Sequence, residues 1–128
     1  MNVQNEVYIC CKKLQMELKG LGIPKAQYEA GITRLMNWSR TLYSAVDGGL
    51  SRKKCSEAMI IRRKFQGELV QLKRFLRKDH RMYTPVVQAQ IEKLEMIHKF
   101  LQRSLDKADH SYRREAADSW YDFSGLPN

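Results

Sequence analysis

No run in this chain is apolar for the ~20 residues that a membrane-spanning helix requires. The first residues, Met1 to Lys13, have no basic stretch leading into an apolar core. They do not read as a signal peptide, and a cytoplasmic location is expected. Cysteine is scarce. Cys10, Cys11 and Cys55 are odd in number, two are adjacent, and there is no CxxC or Cys/His set at zinc spacing. That argues against a disulfide framework and a zinc module, and leaves small buried or half-buried hydrophobes in a reducing compartment. Catalytic motifs are missing too: there is no P-loop, GxGxxG, HExxH or nucleophile elbow. Of the histidines His80, His98 and His110, His98 falls on an apolar stripe and reads as a core residue. His98 and His110 are too far apart on one helix to share a metal ion. Glu95-Met96-Ile97-His98 is a formal Glu-x-x-His, but a di-metal bundle needs a second copy from a facing helix, and there is none. No metal, no cofactor and no enzymatic activity are expected.

Proline and glycine are few, three and seven in 128 residues, and most mark segment boundaries. Between them lie four amphipathic stripes with helical spacing and no period-2 alternation. Val7, Cys11, Leu14 and Leu18 define the first helix, from about Asn5 to Lys19, stopped by Gly20 and Gly22. Pro24 opens the second, with Tyr28, Ile32, Leu35, Ser39, Leu42 and Val46 in line, ended by Asp47-Gly48-Gly49. Ser51 is the expected N-cap of the third helix, whose apolar face is Ala58, Ile61, Phe65, Leu69, Leu72 and Leu76. Thr84-Pro85 reads as N-cap and first residue of the fourth, which carries Val87, Ile91, Leu94, His98, Leu101 and Leu105. Its continuation past Tyr112 is open. Short connections make neighbours antiparallel. The expected fold is all-α: an antiparallel up-down-up-down four-helix bundle over residues 1–112, with a short aromatic C-terminal tail over 113–128.

Charge is where the chain departs from the ordinary. Residues 51 to 81 hold 11 Lys/Arg against three acids, so they carry +8 of the chain's formal +9. Arg52, Arg63 and Arg74 recur every 11 residues. At about 1.5 Å of rise per residue they stand about 16 Å apart on one side of a helix. Arg77, Lys78 and Arg81 extend the row, and Lys53, Lys54, Arg62, Lys64 and Lys73 flank it. Met59 and Val70 fall among the cations. Solvated helices normally mix acids and bases at i, i+4, whereas a one-sided helix repels itself until something neutralises it. The row therefore reads as a footprint for a polyanion, with nucleic acid the first choice. Arg and Lys alternate, and no Asn/Gln cluster is present to read adenine edges. Phosphate contacts that are strongly salt-dependent and weakly sequence-specific are expected.

The landmarks Ile23-Pro24-Lys25, Gly48-Gly49-Leu50-Ser51-Arg52 and Glu68-Leu69-Val70-Gln71-Leu72-Lys73-Arg74-Phe75-Leu76-Arg77 accompany Arg81-Met82-Tyr83-Thr84-Pro85. Over roughly residues 5 to 108, the layout they mark resembles the four-helix-bundle family of 23S rRNA intervening-sequence proteins. Accessory variability determinant (Avd) proteins of diversity-generating retroelements belong to the same group. The resemblance implies a homopentameric barrel of bundles with a basic surface. Such a protein would bind a reverse transcriptase and its RNA or RNA/DNA template and assist cDNA synthesis in mutagenic homing, without catalysis of its own. Gln102-Arg103-Ser104 stands near the place of a Gly-Gly-Trp-like element common in Avd proteins.

The end of the chain differs from the rest. Trp120, Tyr121 and Phe123 are three aromatics within four residues, in a mildly acidic setting. They are expected to dock on the bundle, to anchor a partner or to make an oligomer contact. The competing functional reading is an interaction adaptor, phage- or plasmid-encoded, that sets its basic face and this aromatic tail against an acidic protein. Trp38, Met59 and Val70, which lie off the main stripes, are the expected subunit contacts.

Overall fold

A computed structural model describes the backbone of residues 3–46 and 49–124, and the side chains of these residues up to Arg114. It contains four helices: α1 (Val3–Gly20), α2 (Lys25–Val46), α3 (Arg52–Arg77) and α4 (Pro85–Ser124). Among the described residues there is no strand, and no helix is long and apolar enough to cross a membrane.

The punctuation of the sequence explains where the helices end. α1 closes in a Schellman motif: Ile23 N–H donates to Leu18 C=O at 3.1 Å and Gly22 N–H to Lys19 C=O at 3.0 Å. This requires the left-handed conformation at Gly22, where φ is +76°. Ser51 Oγ accepts the Lys54 N–H at 3.2 Å, capping α3, and Thr84 Oγ1 accepts the Val87 N–H at 3.3 Å, capping α4. Pro85 then occupies the first helical position, where a missing N–H costs nothing.

Each helix packs on two neighbours, α1 on α2 and α4, α3 on α2 and α4, so that α1 and α3 are diagonal. Cross-helix contacts fix the directions. Glu6 reaches Lys93 and Glu17 reaches Thr84, while Arg62 reaches His98 and Lys73 reaches Glu95. Numbers rise on one helix as they fall on the other, so the neighbours are antiparallel. This is the up-down-up-down bundle that the stripes predict. The main core gathers Val7, Leu14, Ile32, Leu35, Phe65, Leu72, Ile91 and Leu94 from all four helices. A smaller cluster of Leu42, Ala58 and Leu105 sits at the end where the α2–α3 connection lies. All three cysteines are buried, and burial pushes the Cys11 thiol up to about 12, so it stays protonated.

The continuation of the fourth helix past Tyr112, left open by the stripes, is helical: α4 is a single 40-residue helix that runs on through Ser124. Trp120, Tyr121 and Phe123 lie on its last turns, and their side chains are outside the described residues. Trp38 and Met59, two of the expected subunit contacts, are half-buried against the chain's own core clusters. Val70 is exposed, as a subunit contact would require.

Candidate nucleic-acid interface

α3 presents one face to the core and the opposite face to solvent. Its buried row is Cys55, Ala58, Arg62, Phe65, Leu69, Leu72 and Leu76. The steps alternate three and four, the seam of a helix packed at a shallow angle in a bundle. Across from it, Arg52, Lys53, Arg63, Lys64, Arg74, Arg77 and Lys78 are all exposed. Among the described residues none of these seven forms an ion pair. The three acids of the same stretch do little to neutralise them. Glu68 turns toward α2 and pairs with Arg34 at 3.0 Å, and Asp79 pairs with Arg81 at 2.9 Å. Glu57 alone remains exposed on the helix without an ion pair among the described residues. The Arg52–Arg63–Arg74 row is therefore a line of accessible cations, spaced about 16 Å apart along a straight helix.

Four of the predicted cations stand elsewhere. Arg62 is only 6% exposed and belongs to the seam. Its Nη1 lies 3.1 Å from His98 Nε2 and donates to Gln66 Oε1 at 3.3 Å. A guanidinium only donates, so His98 accepts and is neutral, with its proton on Nδ1. Burial, and then the neighbouring Arg62 charge, hold His98 below the usual histidine range. The His98 ring also stacks on Phe65, with centroids 6.2 Å apart. Arg62 cannot reach a phosphate from there, so it is removed from the interface. Its chain neighbour Arg63 is fully outside, because one residue turns a helix by about 100°.

Lys73 is half-buried and holds Glu95 of α4 at 3.1 and 3.2 Å. Arg81 lies beyond the end of α3 in the α3–α4 connection, bound to Asp79 through side chain and backbone. That contact draws the Asp79 carboxyl below its ordinary range. Lys54 is half-buried beside the N-cap. These three edge the row rather than form it.

One member of the outer face was not foreseen. Ile60, 59% exposed, stands with Val70 among the cations, while Met59 turns inward. The face is thus cationic with two apolar points. No cluster of His, Cys, Asp or Glu suited to a metal ion occurs among the described residues. No protein-family model, curated protein or solved structure matches the chain.

Proposed function

We propose that this chain is a non-catalytic, basic nucleic-acid-binding accessory protein that grips the phosphate backbone along the outer face of α3. The observation that carries this reading is the row of seven exposed cations without ion pairs among the described residues. A partner's phosphates would neutralise that row where the chain's own carboxylates do not. Arg52, Arg63 and Arg74 make the central contacts, with Lys53, Lys64, Arg77 and Lys78 beside them and Lys54, Lys73 and Arg81 at the edge. Nothing on this face is arranged to read bases, so RNA, or RNA paired with DNA, is held by charge and shape. The family resemblance supplies the biological setting: a cytoplasmic homopentamer that binds a reverse transcriptase and its RNA, and assists cDNA synthesis in a diversity-generating retroelement. Ile60 and Val70 favour one competing use of the same face, contact with an acidic protein, since apolar points among cations suit a protein surface.

The test is the light-scattering mass of the protein purified at high salt, then mixed with a short structured RNA at low and moderate salt. A complex of about five chains that gains mass with RNA, and loses it again with salt, supports the reading. A protein that ignores RNA at low salt rejects it and leaves the acidic-partner reading.

A further inference from the structure

α3 carries one glycine among its 26 residues, Gly67, well inside the helix. Glycine is the poorest helix former after proline, so its presence there asks for a reason. The other described glycines have theirs within the chain. Gly20 is the last residue of α1, and Gly22 and Gly49 take φ values of +76° and +112°. Gly31 is half-buried on α2, with the Arg34 guanidinium 3.9 Å from where a Cβ would stand. None of these reasons applies to Gly67. Its φ is not positive, it is far from either end of α3, and a Cβ built on it would meet nothing within 4 Å among the described residues. Neither backbone conformation nor internal packing requires the missing side chain.

What surrounds Gly67 lies outside the bundle. At 100° per residue it falls at the centre of the outer face of α3, opposite the buried seam. Arg63 and Lys64 stand one turn before it, Val70 and Gln71 one turn after, and Arg74 two turns after, all exposed. Along the axis Gly67 is about 6 Å from Arg63 and about 10 Å from Arg74, inside the interval between these two members of the row. Longer side chains all round, with none at the centre, make a notch whose floor is the helix backbone itself. Glycine suits such a place because a bound chain can approach closer than any Cβ allows.

We infer that the notch at Gly67 is where the sugar–phosphate backbone of the bound nucleic acid lies directly on α3, with Arg63 and Lys64 on one side and Arg74 on the other neutralising the adjacent phosphates. The inference rests on the nucleic-acid reading. It adds a fixed crossing point and a contact residue that contributes no charge. The N–H groups of a helix interior are bonded within the helix, so the contact is one of close fit, Cα–H groups against phosphate or sugar oxygens. A bare helix face also suits the helix of another protein. The cations favour the polyanion, because a helix packed this closely would desolvate Arg63, Lys64 and Arg74 together, whereas a phosphate chain brings a charge for each.

The experiment measures the affinity of wild type, Gly67→Ala and Gly67→Gln for a short structured RNA at low salt, beside Arg63→Glu/Arg74→Glu, with the unfolding midpoint of each. Alanine and glutamine are better helix formers than glycine and change no charge, so both Gly67 variants fold, with midpoints at or above the wild type. RNA affinity is expected to fall in spite of that gain, about threefold for alanine and at least about tenfold for glutamine, as added bulk lifts the phosphates away from the cations. Gly67 variants that bind RNA like the wild type, while Arg63→Glu/Arg74→Glu loses binding, overturn the inference and leave the nucleic-acid reading standing. A wild type that ignores RNA at low salt removes both. A Gly67 change that alters the light-scattering mass and leaves RNA affinity untouched also overturns the inference and gives the notch to a protein helix.

Discussion

Arg62 and Arg63 are adjacent in the chain and opposite in the fold. The inner seam of α3 takes Arg62 into a layer with His98 and Phe65. The outer face holds Arg63 in a row of cations open to solvent. The two sides of this helix obey different physics. On the inside, polar groups must be satisfied locally, and Arg62 is matched incompletely, since its Nε is buried with no partner among the described residues. On the outside, water and salt screen each charge, so the folded chain tolerates the row although nothing among the described residues neutralises it. The difference also separates α3 from α4. α3 carries nine Lys/Arg and two Glu. α4, at 40 residues, carries six Lys/Arg and seven Asp/Glu, so it is close to neutral. A charged helix face is thus a local property of α3 rather than a consequence of the chain's pI.

The sharpest way to separate the two sides is to damage each alone. Phe65→Ala, in the seam, removes a fully buried ring and should cost about 3–5 kcal/mol. Chemical denaturation should show the loss. If the unfolding midpoint hardly moves, Phe65 is not packed as described. The outer face should behave in reverse. Arg63→Glu with Arg74→Glu should leave the unfolding midpoint nearly unchanged and weaken binding to a short structured RNA at low salt by at least about tenfold. Arg62→Met, one residue away, should keep the RNA affinity, and its stability should be unchanged or higher, since an apolar side chain of similar length replaces an incompletely paired buried charge. Equal effects of the Arg62 and Arg63 changes on RNA binding would erase the distinction drawn between the two faces.

The smallest effect is on pH. His98 titrates below its ordinary value in the folded protein, first because it is buried and then because Arg62 is close. The unfolded chain takes up that proton near pH 6.5, while the folded one resists. Stability from neutral His98 is therefore complete above about pH 6.5 and declines as pH falls toward the folded-state value. Glu6 and Asp79, both held below their usual values by Lys93 and Arg81, act in a lower window. Thermal unfolding from pH 7.5 to 5 should show the decline in the wild type and a flatter profile in His98→Gln, which keeps an acceptor for Arg62. Parallel profiles would remove His98 from that role.

Most of the architecture was legible in the residues. The four stripes, the caps at Ser51 and Thr84 and the glycine stop after α1 are local signals, and local hydrogen bonding satisfies them without reference to the rest of the chain. His98 was legible as a core histidine for the same reason, since it interrupts an apolar row on a regular period. The row Arg52, Arg63 and Arg74 follows from an 11-residue repeat close to three helical turns. The seam's true membership was within reach. Ala58, Arg62, Phe65 and Leu69 keep the alternating step of four, three and four, but the chemistry of arginine argued against reading position 62 as interior.

What the sequence determined by itself is the set of helices, their polarity and the concentration of charge on the third, because each depends on spacing within one segment. Three things only the tertiary structure decided. It paired Lys73 with Glu95 and Glu68 with Arg34, buried Arg62 against His98, and left a groove between α2 and α4. Each depends on the relative lengths and registers of different helices. Register is set by how side chains from separate segments interlock, and no single stripe contains that information.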